Sequence, residues 1–118
     1  MKLEELAKGI GAHLLTPGAE THDIRHVYAG DRMSDLLGAV GGDTLLVTHI
    51  ANQGLLRLIE LMDAAALCFV NGVYPDDILV EAAGDSGTAL LVSPFDMYET
   101  CGRIYLLLND APSDNPTP

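Results

Sequence analysis

The chain has 118 residues, 48% of them apolar and 19% charged, which suits one domain with its own core and excludes a disordered chain. Six Lys and Arg face seventeen Asp and Glu, a net charge of −11 that sets the surface against nucleic acid and anionic membrane. The longest uninterrupted apolar run, Ala64 to Val70, is far short of the ~20 residues of a membrane span, and no GxxxxGK followed by Ser or Thr marks a P-loop.

At the start of the chain, Leu3, Leu6, Ala7 and Ile10 fall at helical spacing, and Gly9 and Gly11 bracket the stop. Two glutamates interrupt the apolar pattern of this segment, so it does not read as a signal peptide. His13 to Thr16 is a short strand closed by Pro17-Gly18, and a polar loop covers Ala19 to Asp23. Ile24 to Tyr28 alternates as a strand, and the turn from Ala29 to Asp35 leads into a short helix ending near Val40. Thr44 to Thr48, Ala65 to Val70 and Thr88 to Val92 are apolar on both faces, as buried strands are. A helix from Asn52, a fitting N-cap, to Met62 separates the first two. A helix opened by Pro75, with Asp76 and Asp77 in its first turn and Gly84 at its end, separates the others. Ser93 or Pro94 opens a last helix to about Leu108, and the Pro-rich tail Asn109–Pro118 is expected to be disordered.

Strands apolar on both faces that alternate with helices call for parallel β-α-β units with right-handed crossovers. The expectation is a single α/β domain over residues 1–108, with three α/β/α layers and a mostly parallel sheet of about five strands. The helix 52–62 is apolar over much more than half its circumference, with only Arg57 and Glu60 polar on its exposed side. It is either sandwiched within the domain or meets a second subunit, as in a homodimer. In the last helix Met97, Cys101, Ile104, Tyr105 and Leu108 share a face, which places Cys101 in the core. With only two cysteines, Cys68 and Cys101, there is neither a zinc knuckle nor a disulfide framework; a reduced, buried, cytoplasmic pair is expected.

In an open parallel sheet, ligands bind beyond the carboxyl ends of the strands. The residues there are Gly30, Asp31 and Ser34; Thr48, His49 and Asn52; Asn71 and Gly72; and Ser93. They could line a site for a small anion or nucleotide, or serve only as helix caps and turns. Asp31 could hold a metal or orient His49; alternatively it caps the short helix or pairs with Arg32. His49 could act as acid, base or ligand, or be a hydrogen-bonded loop residue. No G-x-S-x-G nucleophile elbow accompanies it, so no catalytic set is assigned, and a hydrolase using Asp31 and His49 is the least favoured reading. His22 and His26 flank Asp23 in an H-D-x-x-H spacing, but on a strand they stand about 13 Å apart. No metal or cofactor is expected.

Several segments, in this order and spacing, are those of a known family: Tyr28-Ala29-Gly30-Asp31 with Met33-Ser34-Asp35-Leu36-Leu37; Val47-Thr48-His49; Val70-Asn71-Gly72 with Pro75-Asp76-Asp77; Leu91-Val92-Ser93-Pro94; and Glu99 through Tyr105. On them the chain, from about Leu3 to Leu107, resembles the DRTGG-type domains, a fold type that also forms the N-terminal domain of HPr kinase/phosphorylase. Asn71-Gly72 stands where Thr-Gly-Gly is typical, and Asp31-Arg32 lies in an earlier loop. The resemblance implies a domain without catalysis of its own, found in relatives beside phosphotransacetylases and CBS-bearing pyrophosphatases and also in stand-alone bacterial form. There it serves as a regulatory or dimerising module, with a protein partner or a small anionic ligand as its expected company.

Overall fold

The computed structural model describes residues 1–16 and 22–109. Its elements run α1 (Leu3–Ile10), β1 (His13–Leu14), β2 (His26–Ala29), α2 (Met33–Ala39), β3 (Thr44–Thr48), α3 (Leu56–Glu60), β4 (Ala66–Phe69), α4 (Asp77–Ser86), β5 (Ala89–Val92) and α5 (Met97–Asn109). The five strands form one sheet in the order β1-β5-β4-β3-β2. β2 to β5 are parallel, and β1 alone is antiparallel, with His13 opposite Val92. That edge continues past β1, where Leu15 N donates to Leu90 O and Leu90 N to the buried Thr16 Oγ1.

Every residue of β3, β4 and β5 is buried, which explains why these segments are apolar throughout rather than alternating. Their side chains divide between two cores. Leu45, Val47, Ala66, Cys68, Ala89 and Leu91 pack with Leu3, Leu6 and Ile10 of α1 and Ile104 of α5. On the other face Leu46, Leu67, Phe69, Leu90 and Val92 pack with Leu36 of α2, Leu58 and Ile59 of α3, and Leu79 and Ala83 of α4. This is the expected three-layer α/β/α architecture. The chain steps β2, β3, β4, β5 in one direction across the sheet. Right-handed crossovers therefore put α2, α3 and α4 on one face and leave only α1 and α5 for the other.

Several boundaries differ from the sequence reading. The expected helix 52–62 is a 3-10 turn, Gln53–Leu55, followed by only five α-helical residues. Gly54 in the first turn weakens the helix, and Asp63 at φ 52° ends it. Asn52 does cap it, its side chain accepting from Gly54 N at 2.9 Å. Leu55, Leu58 and Ile59 are buried, so the surplus apolar surface shrinks to Leu61 and Met62 at the frayed end. α4 runs through Gly84 and stops at Gly87, whose φ of 77° lets its N–H reach Ala83 O. The second strand starts at His26 rather than Ile24, because Ile24 N is taken by Met1 O and the Lys2–Asp23 bridge. α5 starts at Met97, later than expected, and includes Asn109. The expected turn at Pro17-Gly18 and the tail beyond Asn109 lie outside the described residues.

Cys68 is fully buried in β4, and burial, with Cys101 adding to it, pushes its thiol up to about 12. Cys101 is only half-buried, and Tyr105 of the same helix is exposed, so the expectation of a core Cys101 is corrected. The reason is rotational: Thr100 and Ile104 take the inward positions of α5, and Cys101 falls at the border. A maleimide is thus expected to modify one thiol per chain in the native state, at Cys101. Cys68 should react only in denaturant, as mass spectrometry of the two forms would read. Two native equivalents would contradict this packing. Among the described residues no helix is long and apolar enough to cross a membrane.

Candidate functional site

The carboxyl edge of the sheet brings the β2 and β3 exits together. Gly30 N donates to Val47 O, extending the ladder one residue past β2. With Ala29 opposite Val47, the next two steps place Asp31 beside His49. Asp31 Oδ1 accepts from Thr48 Oγ1 at 3.0 Å and from His49 N at 2.7 Å. Its Oδ2 lies 2.9 Å from His49 Nδ1. Thr48 is fully buried, and its Oγ1 in turn accepts from Ile50 N. The Asp31 and His49 side chains are about half exposed. Partial burial works against the charged carboxylate, but the His49 amide, the His49 ring and the Thr48 hydroxyl outweigh it and hold Asp31 below the usual carboxylate value. An ionised carboxylate only accepts, so the His49 Nδ1 that faces it donates.

Of the two sequence readings of Asp31, the geometry follows the one in which it orients His49. Arg32 pairs instead with Asp35, at 3.7 Å. Ser34 lies inside the first turn of α2 and caps nothing; the residue before that helix, Arg32, makes no side-chain cap either. Asn71 and Gly72 form a turn at φ 60° and 66°, and their amides donate to Phe95 O and Ser93 O. The turn after β4 is thereby tied to the turn after β5. Ser93 is fully buried and does not open α5. Its Oγ accepts from Phe95 N and bonds Thr100 Oγ1 at 2.7 Å, while Asp96 Oδ1 caps Glu99 N. Ser93 is therefore withdrawn from any surface site. Asp31, Thr48 and His49 converge; Gly30 extends the ladder, Asn52 is a cap, and Asn71 and Gly72 form a turn.

His22 and His26 diverge: His22 Nε2 reaches Gly87 O, and His26 Nδ1 faces Asp43 Oδ1 at 3.3 Å. Among the described residues no three His, Cys, Asp or Glu are placed to hold a metal. The helix N-termini on the exit edge carry acids, Asp35 on α2, Asp77 on α4 with Asp76 before it, and Asp96 before α5.

The sequence reading missed a groove of about 610 Å³ between β2 and α5, floored by Ile24, Val27, Ile104 and Leu108 and bordered by Tyr105. It exists because two helices cannot cover a face of five strands. The helix count per face, given the strand order, was the signal available for it.

The sequence matches no protein-family model, and no curated protein matches it. A solved structure does: the CBS and DRTGG domains of the regulatory region of Clostridium perfringens pyrophosphatase, complexed with its activator diadenosine tetraphosphate. The TM-score is 0.69 at 12% identity over 87% of this chain. The matched part is 45% of that chain, so this protein spans less than half of its length. The likeness is one of fold, and it supports a DRTGG-like fold.

Proposed function

We propose that this chain is a non-catalytic regulatory or scaffold module, a DRTGG-like domain over residues 1–108 that acts in the cytoplasm as a homodimer. The reading extends the fold likeness to the stand-alone form and to the N-terminal domain of HPr kinase/phosphorylase. The observation that carries it is the closure of the strand-exit edge on itself. Asp31 is held by Thr48 and His49, Ser93 is buried with Thr100, and the Asn71-Gly72 turn is bonded to the next loop. The fold match to a pyrophosphatase regulatory region points the same way. Light scattering from about 1 to about 200 μM is expected to show dimer. Monomer throughout that range would remove the homodimer.

A second reading, a small-ligand sensor, is favoured by His49, whose half-exposed ring is held by Asp31 through Nδ1. The neighbour was solved with a nucleotide activator. Here the acids Asp31, Asp35, Asp76, Asp77 and Asp96 around the edge oppose a bare phosphate, so a phosphorylated ligand is expected to need Mg²⁺ beside it. In a melting screen of ATP, diadenosine tetraphosphate and acetyl phosphate with Mg²⁺, this reading predicts a rise of several degrees for one ligand, lost in His49→Ala. No shift from any of them leaves the scaffold reading alone. The hydrolytic reading keeps only the Asp31–His49 pair, since Thr48 Oγ1 donates to Asp31 and Ser93 is buried, leaving neither to attack.

A further inference from the structure

The outer face of α5 is apolar where it should be polar. Tyr98, Tyr105 and Leu106 are 88%, 66% and 69% exposed. At about 100° per residue they form one stripe with Gly102 at its centre, opposite the buried Thr100 and Ile104. A Cβ at Gly102 would meet nothing within 4 Å, so the backbone there is bare. Beside it lies a hollow of about 470 Å³ bounded by Tyr98, Leu106, Arg103 and Glu99, with Asp96 at its end. The groove against β2 runs along the other flank of Tyr105. Ridges and hollows thus alternate across the same stripe.

The charges on this helix decide what can cover it. Within its 13 residues α5 carries one acid and one base, Glu99 and Arg103, and they bond each other at 2.7 and 3.0 Å. Arg103 is also held over the Phe95 ring at 3.8 Å. On a chain of net charge −11 this helix is neutral. A basic partner would be drawn to the acidic remainder of the surface, and nucleic acid is repelled by it. Another copy of this chain, itself strongly acidic, is least repelled along the stripe itself, whose residues carry no charge and whose flanking Glu99 is paired with Arg103.

We propose that the stripe Tyr98–Gly102–Tyr105–Leu106 is the face on which a second copy of this chain docks, the two α5 helices crossing antiparallel at Gly102. This rests on the homodimer reading and assigns its surface. About a two-fold axis through Gly102, residues equally spaced on either side of it meet. Tyr98 of one copy covers Leu106 of the other, four residues to each side. Tyr105 reaches Glu99, three residues to each side, with its hydroxyl free to donate to the carboxylate. The interface is isologous, so each contact occurs twice. Glycine at the crossing lets the axes approach and the rings interlock. One helix pair is a small interface, so association in the micromolar range is expected.

The experiment is light scattering on the full chain, Tyr98→Glu with Leu106→Glu, and a control, Leu61→Glu, at another exposed apolar spot. Far-UV circular dichroism checks that each is folded, which exposed positions should permit. The proposal predicts that the α5 double variant raises the dimer Kd at least tenfold and that Leu61→Glu leaves it unchanged. A dimer that persists in the α5 double variant overturns this surface while the homodimer stands. A wild-type chain monomeric throughout overturns both.

Discussion

Replacing Phe69 with alanine is expected to lower the stability of the domain by about 3–5 kcal/mol. Phe69 is the largest of the fully buried side chains, and it sits in β4, the middle strand of the sheet. It belongs to the core under α2, α3 and α4, together with Leu46, Leu67, Leu79 and Leu90. Strands on both sides and helices above cannot collapse into the space left, so the cavity adds to the lost transfer energy. Domains of this size have a total stability of about 5–15 kcal/mol, and a loss of this size lowers Tm by 12 °C or more at about 4 °C per kcal/mol. Urea unfolding followed by circular dichroism would measure it. A loss below about 1 kcal/mol would mean that the helices on this face shift to fill the gap.

The second large effect belongs to Asp31. Alanine there removes the acceptor of three hydrogen bonds and strands the donor of Thr48, which is fully buried. The expected cost is about 2 kcal/mol, less than for a buried charge network because the carboxylate is half in water. Asparagine keeps an acceptor for Thr48 and the His49 amide but loses the charge, and about 1 kcal/mol is expected. The pH dependence separates the two contributions. The native carboxyl titrates below its unfolded value of about 3.9, so the unfolded chain binds the proton more readily. Its contribution is therefore intact above that pH and disappears as pH falls through the native value. The stability gap between wild type and Asp31→Asn should hold from pH 7 to 5 and shrink below pH 4. Asp23 is also held low, by its bonds to the N-terminal amine and Arg25, but it is present in both proteins and cancels in the difference. A gap independent of pH down to 3 would show that the charge of Asp31 is not what stabilises the loop pair.

The strands β3, β4 and β5 were legible because burial on both faces writes itself as unbroken apolar runs. The helices between them followed from spacing, and parallel crossovers from the alternation. The short helix α3 was not legible from its apolar stripe. Leu55, Leu58 and Ile59 satisfy the core whether they sit on an α-helix or on a 3-10 turn, so periodicity alone does not distinguish the two. Ser34 and Ser93 stand in the sequence as candidate ligand contacts with a helix cap as the alternative, and neither caps a helix. The register of Ser93 put its hydroxyl inward, onto Thr100, instead. The Asp31–His49 pairing stood in the sequence as one of several alternatives for Asp31. The β2–β3 register, with Ala29 opposite Val47, is what selects it, and parallel register is set by packing rather than by any local signal. The exposed face of α5 was partly misread for a related reason: Tyr105 was counted among inward residues, although Thr100 and Ile104 define the inward direction.

The antiparallel edge strand has a consequence for how the chain is made. β1 emerges from the ribosome early, yet its only partner in the sheet is β5, and α1 packs against α5. During synthesis α1 can settle on β3 and β4, but its side toward α5, and β1 itself, must wait until nearly the whole domain has been translated. Helices α2, α3 and α4 meet strands made just before or just after them and can settle as they appear. One face of the sheet is thus assembled progressively and the other is completed last, so a stalled or truncated chain would expose the α1 side to proteases and chaperones first.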